Sequence, residues 1–334
     1  MTGRRVVRAP NHLGDVVLAL PALVEDGSDV LIEGGLAPIV EMAGVPGRVI
    51  RFDRGLAGWR RAVSTLRKSR YTDGVLLTPA FSAAWMMRWG GVHRLKGTAS
   101  DGRSWLLSET LSRASLRPLH RINQFKLLLG QDSSGPPAAP AVEPPADLCA
   151  AWRDRTAGAG GPLVGLFPGA NAPARRWPVA GFAEVAGVLV AGGARVVVLG
   201  GRGERELTRA VAAAAAGAMD LGGETSISDL TALLAVCDLF VTNDTGPMHL
   251  AGAVGTRTVT MWGSSNPDEV RQIGAPDMRV TGRDLPCKPC YKNHCPRTGR
   301  GTLLDEAHEE CMRLIEVAQV LDAVRASLGQ ARAG

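Results

Sequence analysis

The chain predicts an α/β fold of two domains, each built on a parallel sheet. Three observations point there. Short strand-like runs alternate with helical stretches, the alternation stops in a segment rich in Pro, Ala and Ser at 131–147, and it restarts beyond it. At 334 residues the chain is long enough for two ordinary cores.

The elements follow in order. Arg4–Ala9 reads as a short strand, Pro10–Asp15 as a loop and Val16–Val24 as the start of a helix. Val30–Glu33 and Val49–Phe52 are strand-like, Trp59–Arg70 is a basic helix, and Gly74–Leu77 is a further strand. The 131–147 stretch (QDSSGPPAAPAVEPPAD) has the composition of a partly extended linker. This gives a first domain at 1–147 and a second at 148–334. In the second, Leu163–Phe167 is a strand and Val179–Ala191 a helix. Arg195–Gly200 is a strand and Leu207–Ala216 a helix. Ser226–Cys237 is a helix, with Ser226 and Asp229 in capping-box spacing. Leu239–Thr242 is a strand, Pro247–Val254 a helix and Thr258–Trp262 a strand. Both halves thus read as Rossmann-like, with a ligand site expected in a cleft between them. The last helix, near Leu314–Val324, is expected to pack back toward the first domain.

Composition narrows the function classes. Apolar residues make up 45% and charged residues 21%, as in a globular protein. No apolar run approaches the length of a membrane span, and the N-terminus lacks the pattern of a signal peptide, so a cytoplasmic location is expected. The net charge of +6 lies wholly in the first half: residues 1–150 hold 19 Lys and Arg against 13 Asp and Glu, whereas 151–334 hold 19 of each. That imbalance suits an anionic partner, a phosphorylated acceptor or an anionic membrane face, although a solvated basic surface would look the same. Aromatics are scarce and do not interleave with basic residues, which argues against nucleic acid.

Three segments carry candidate chemistry. Val241–Gly255 (VTNDTGPMHLAGAVG) runs from strand through a tight polar loop into a helix. Pro247 suits the first helical position because it needs no N–H, and free N–H groups at such a start favour a diphosphate. Gly246 permits close backbone approach, Thr245 adds a hydroxyl, and Asp244 and His249 lie at the same mouth. A merely capped helix with a core histidine would share these features. In Phe167–Pro178 (FPGANAPARRWP), Arg175 or Arg176 could clamp a phosphate, or be a solvated pair beside a packing Trp177. In Arg8–Pro21 (RAPNHLGDVVLALP), Asp15 sits at a strand-to-helix turn and could accept a proton, or simply cap a helix. No G-x-G-x-x-G occurs there, which disfavours a dinucleotide-dependent dehydrogenase.

These segments, in this order, together with the tail LPCKPCYKNHCP…ECM, resemble glycosyltransferase family 9, the ADP-heptose:lipopolysaccharide heptosyltransferases. The resemblance implies a GT-B architecture and inverting transfer with no cofactor required. It implies Asp15 as general base, with Asn11, His12 and Gly14 on the acceptor side. Asn171, Arg175, Glu204, Asp244, Thr245, Gly246 and His249 would bind an ADP-heptose type nucleotide-sugar. Arg175 stands where the family usually has a lysine, and Ala170 and Asn171 where some members carry hydroxyls. The acceptor implied is the lipopolysaccharide inner core, an anionic, phosphorylated glycan, with peripheral contact at the inner face of the membrane. A natural-product or protein acceptor, a UDP or GDP donor, and a noncatalytic nucleotide-sugar binder are the alternatives. Cys287, Cys290, Cys295 and Cys311, spaced C-x2-C-x4-C-x15-C with His294 and His308 nearby, are candidate ligands for a structural zinc or iron. Lys288, Lys292 and Arg297 could instead make one thiol reactive.

Overall fold

The structure, a computed structural model, describes residues 4–158, 160–295 and 310–331. The chain divides into two compact units, 1–143 and 144–334. The first contains β1 (Arg5–Arg8), β2 (Asp29–Glu33), β3 (Val49–Phe52), β4 (Asp73–Leu76), β5 (Arg94–Thr98) and β6 (Glu109–Leu111). They form one sheet in the order β3-β2-β1-β4-β5-β6, and every pairing is parallel. The second contains β7 (Leu163–Phe167), β8 (Arg195–Val198), β9 (Met219–Asp220), β10 (Leu239–Asn243), β11 (Thr258–Trp262) and β12 (Asp277–Thr281). Their order, β12-β11-β10-β7-β8-β9, is the same pattern written from the other edge, again all parallel. The α/β reading with two parallel sheets therefore holds.

Each sheet is covered by helices because its strands are apolar on both faces: β7, β10 and β11 are buried throughout. In the first unit, helices Gly55–Ser69 and Phe81–Trp89 lay Ala62, Val63, Leu66, Ala83, Ala84, Met86 and Met87 into a core with Val6, Leu31, Ile50, Leu76 and Leu95. Helices Leu13–Asp26 and Arg121–Leu129 pack on each other. In the second unit, helix Val179–Ala191 has the bounds read from the sequence. Helix Ile227–Val236 is opened by the expected reciprocal cap: Asp229 N–H donates to Ser226 Oγ at 3.1 Å and Ser226 N–H to the Asp229 carboxylate at 3.1 Å. Residues 131–145 carry neither helix nor strand, and helix Ala146–Arg155 follows the Pro144–Pro145 pair. The final helix, Val317–Ala331, packs on β10, β11, β12 and helix Val179–Ala191 of its own unit, through Val320, Ala323 and Val324. Those positions make an i, i+3, i+4 stripe, which buries most area against the nearest apolar sheet.

In both units the strand order reverses direction at one point, between β1 and β4 and between β7 and β10. Connections leave in opposite directions there, so the loops part and a crevice opens at the carboxyl ends of the strands. The expected site residues cluster at these two points.

Candidate functional half-sites at the two switch points

In the second unit, the switch point is bridged by Asn243, the last residue of β10 and fully buried. Its Nδ2 donates to Pro168 O at 2.9 Å and Gly169 O at 3.2 Å, just past β7. Its Oδ1 accepts from Trp177 N–H at 2.9 Å. Trp177 is buried and its indole N–H donates to Ile315 O at 2.9 Å. One asparagine thus fixes both ends of the loop 168–177, which carries Asn171 and Arg175.

Beside it lies the buried carboxylate of Asp244. Arg175 Nη1 stands 3.4 Å from it and Ser265 Oγ donates to it at 2.5 Å. Burying a carboxylate is costly unless charge and hydrogen bonds compensate, and these two supply both. Thr245 is the N-cap of helix Gly246–Ala253; it is extended, and its side chain makes no capping bond. Gly246 takes the first helical position and Pro247 the second, one residue further in than expected, and His249 is buried just inside. Glu204 reaches the same loop. Gly201 N–H donates to its Oε2 at 2.8 Å, and its carboxylate lies so close to Gly169 that a Cβ there would stand 1.9 Å from Oε1. Arg176 donates to Ala170 O at 2.9 Å; burial lowers its pKa, opposed by the Glu204 charge. The structure therefore brings Arg175, Asp244, Thr245 and Gly246 together, with Glu204 on the same loop from the other side. Asn171 is exposed at the loop tip. Sequence reading missed Asn243 and Ser265, whose only signal is their place at the ends of β10 and β11.

In the first unit, Asn11 bridges the switch point: Nδ2 donates to Thr78 Oγ1, past β4, at 3.0 Å. Asn11 Oδ1 accepts from Arg8 Nη2 at 2.6 Å. Arg8 is buried at the end of β1, its guanidinium 4.6 Å from the Phe52 ring centroid and bonded to Ala9 O. Burial pushes its pKa down to about 10, so it stays charged at neutral pH. Arg103, also buried, donates to Thr78 O at 2.7 Å and Ala80 O at 3.2 Å from Nη1, and to Thr98 O at 3.2 Å from Nε. Burial lowers its pKa too. Two buried cations thus hold the two strand ends, and neither was singled out from the sequence. The signal for Arg8 was a charged side chain at the end of an apolar strand, whereas Arg103 lies in the loop between β5 and β6 and gave none. His12 is the N-cap of helix Leu13–Asp26, with Gly14 and Asp15 in its first turn. Asp15 is part-exposed, 3.9 Å from Arg121 Nε, a contact worth about 0–1 kcal/mol at such exposure.

The candidate metal ligands are not brought together: among the described residues no three Cys, His, Asp or Glu side chains gather as ligands. Cys287 is exposed, Cys290 and Cys295 are half-buried, and Cys311 is buried against Gly263. Cys290 and Tyr291 N–H donate to Ser264 O at 3.1 and 2.9 Å, Asn293 O accepts from Ala174 N–H at 3.0 Å, and Tyr291 OH donates to Glu269 at 2.5 Å. These bonds hold the segment beside the Ser265 and Arg175 loops, with Cys287 left exposed while Cys311 is buried. His294 is exposed, and His308 and Arg297 lie outside the described residues.

Comparison with known proteins bears on these half-sites. Residues 59–299 match the model of glycosyltransferase family 9 (heptosyltransferase). A lipopolysaccharide heptosyltransferase 2 of Salmonella typhimurium is 39% identical over 113 residues, a stretch that spans 32% of this chain and 32% of the relative. The lipopolysaccharide heptosyltransferase 1 of Pseudomonas aeruginosa is 26% identical over 309 residues, 85% of each chain. Among solved structures, the E. coli ADP-heptose lps heptosyltransferase II superposes with a TM-score of 0.79 at 22% identity, covering 98% of this chain and 99% of that one. At that identity the superposition speaks to the fold, whereas the family model covers well over half of the sequence. The chain belongs to glycosyltransferase family 9, the heptosyltransferase family.

Proposed function

We propose that this chain transfers heptose from ADP-heptose to a hydroxyl of a lipid-linked anionic glycan, the inner core of lipopolysaccharide, with inversion and without a metal in the transfer step. The observation that carries the reading is the β7/β10 switch point, where Arg175 and the helix start at Thr245–Gly246 meet on the loop ends fixed by Asn243. The names of the relatives, lipopolysaccharide heptosyltransferases and an ADP-heptose lps heptosyltransferase, support donor and acceptor class.

The chemistry follows from charge. As the bond from the anomeric carbon to the diphosphate breaks, its electron pair leaves with ADP, which gains negative charge. A helix N-terminus and a guanidinium stabilise that charge without a cation. Asp244, itself anionic, would not touch the diphosphate; it orients Arg175, with Ser265 holding the carboxylate. Glu204 would take the donor's ribose hydroxyls, and Asn171 and His249 would complete the donor side. In the first unit Asp15 takes the proton of the acceptor hydroxyl as its oxygen bonds to the anomeric carbon, with Asn11, His12 and Gly14 shaping the acceptor side. The buried charges of Arg8 and Arg103 make that crevice favourable for an anionic acceptor. The enzyme would work in the cytoplasm, at the inner face of the membrane.

Asp15→Asn and Asp15→Ala test this. Both should bind ADP as the native chain does and lose transfer by about 10²–10⁴-fold, the usual worth of a general base. Near-native turnover would remove Asp15 from that role. Thermal stabilisation by ADP but not by UDP or GDP is expected from linkage, and equal stabilisation by all three would refute the donor assignment.

A further inference from the structure

Helix Phe81–Trp89 has an unusual outer face. Ala83, Ala84, Met86 and Met87 face the core of the first unit. The opposite stripe, at i, i+4 and i+8, is Phe81, Trp85 and Trp89 rather than polar residues. Phe81 is 39% exposed and Trp89 48%; Trp105, from the neighbouring turn Ser104–Leu106, is 68% exposed. The rings form one surface. Phe81 and Trp85 stack with centroids 6.0 Å apart, Trp85 and Trp89 lie at 5.8 Å, and Trp105 stands 6.1 Å from Trp85 and 6.3 Å from Phe81. The chain has only 7 Trp, 6 Phe and 2 Tyr, so exposing Phe81, Trp89 and Trp105 around a half-buried Trp85 that packs on the core costs solubility and calls for a partner.

The surroundings say which partner. Arg67 and Lys68, exposed in the last turn of helix Gly55–Ser69, and Arg88, exposed in the last turn of the aromatic helix, bring positive charge to this patch. Helix Gly55–Ser69 packs beside the aromatic helix. From it Arg67 donates to the backbone Trp89 O at 2.7 Å, and Arg88, next to Trp89 in the sequence, donates to His93 O at 3.0 Å. Exposed tryptophans beside arginines suit the headgroup level of a bilayer with anionic lipids, where an indole is apolar on its body and polar at its N–H. No helix among the described residues is long and apolar enough to cross a membrane, so contact would be at the surface. The patch is also tied to the acceptor side. Arg103 clamps Thr78 O and Ala80 O, which places Phe81 and Trp105 at the carboxyl end of β4, next to the Asn11–Thr78 bridge.

We propose that Phe81, Trp85, Trp89 and Trp105, with Arg67 and Arg88, form the surface by which this chain sits on an anionic phospholipid bilayer, alongside the crevice that receives its acceptor. The proposal deepens the reading that the acceptor is lipid-linked. The experiment is sedimentation of the full-length chain with vesicles of phosphatidylcholine, with and without phosphatidylglycerol. The native chain should bind the phosphatidylglycerol vesicles, with its tryptophan emission shifted to the blue, and bind less as salt is raised because exposed charges are screened over about 8–10 Å. Trp89→Ser with Trp105→Ser, both at exposed positions, should weaken vesicle binding at least tenfold while ADP still raises the melting temperature as in the native chain. Arg67→Gln with Arg88→Gln should weaken binding only to the anionic vesicles. Vesicle binding requires no acceptor, so it is read independently of transfer. If the lipid-linked acceptor is wrong, binding survives while transfer to that acceptor fails. Absence of binding by the native chain, or equal binding by the serine variant, would overturn the proposal. So would a concentration-dependent dimer that the serine variant abolishes, which would make this face a contact between two copies.

Discussion

Asn243 offers the sharpest test of how the second unit's switch point is built. Asn243→Ala removes one acceptor and two donors from a fully buried position: the partner of Trp177 N–H at 2.9 Å and the bonds to Pro168 O and Gly169 O at 2.9 and 3.2 Å. The Trp177 N–H then stays buried without its partner, which costs about 1–3 kcal/mol, while the two carbonyls lose bonds worth about 1 kcal/mol each. Water entering the space left by the amide would recover part of this, so we expect a net loss of about 3 kcal/mol. Because the same side chain fixes the loop that carries Arg175, ADP affinity should fall about tenfold, equivalent to about 1.4 kcal/mol. The comparison that isolates the mechanism is Asn243→Asp. It is nearly isosteric and keeps the oxygen for Trp177, yet it turns a two-donor amide into an anion against two carbonyls. Burial and those carbonyls raise the pKa of the new carboxyl in the folded state, so its stability should be lowest at about pH 8 and recover as pH falls and the carboxyl protonates. Urea titration followed by circular dichroism, with calorimetry of ADP binding, reads both effects. An alanine variant within about 0.5 kcal/mol of the native chain, or an aspartate variant as stable as the native chain at about pH 8, would refute the argument.

Two further outcomes follow from the same geometry. Arg175→Ala should weaken ADP binding more than adenosine binding, and Arg175→Lys should restore part of the loss because charge is kept while the planar fork is not; equal loss for both ligands would move Arg175 away from the phosphates. Burial, helped by the Asp238 charge, pushes the Cys237 thiol up to about 12, so a maleimide time course read by mass spectrometry should label exposed Cys287 first and Cys237 only on unfolding; similar rates for both would contradict this burial pattern.

By itself, the sequence determined the elements whose local physics is strong. Val164, Val196, Val241 and Val259 lie in runs too apolar and too short for anything but buried strands, and β7, β8, β10 and β11 are found there. The Ser226–Asp229 cap and the bounds of helix Val179–Ala191 were legible because capping and propensity act within a few residues. The block Asp244–Gly246 was legible as a strand-to-helix turn for the same reason. Helix Phe81–Trp89 was not, because its outer face is aromatic and no polar stripe marks its period. Tertiary structure alone decided the rest. Only the strand order makes Asn243 the bridge between β10 and the residues after β7, and Asn11 the bridge between β1 and the residues after β4. Only the fold buries Arg8 and Arg103 and turns two ordinary charges into supports for the strand ends at the first unit's switch point. The cysteines make the same point in reverse: their spacing suggested a shared metal, but Cys311 is buried while Cys287 is exposed, and no three ligand side chains gather among the described residues. Spacing along a chain limits which groups can meet, whereas burial and hydrogen bonds made across long sequence separations decide which of them do.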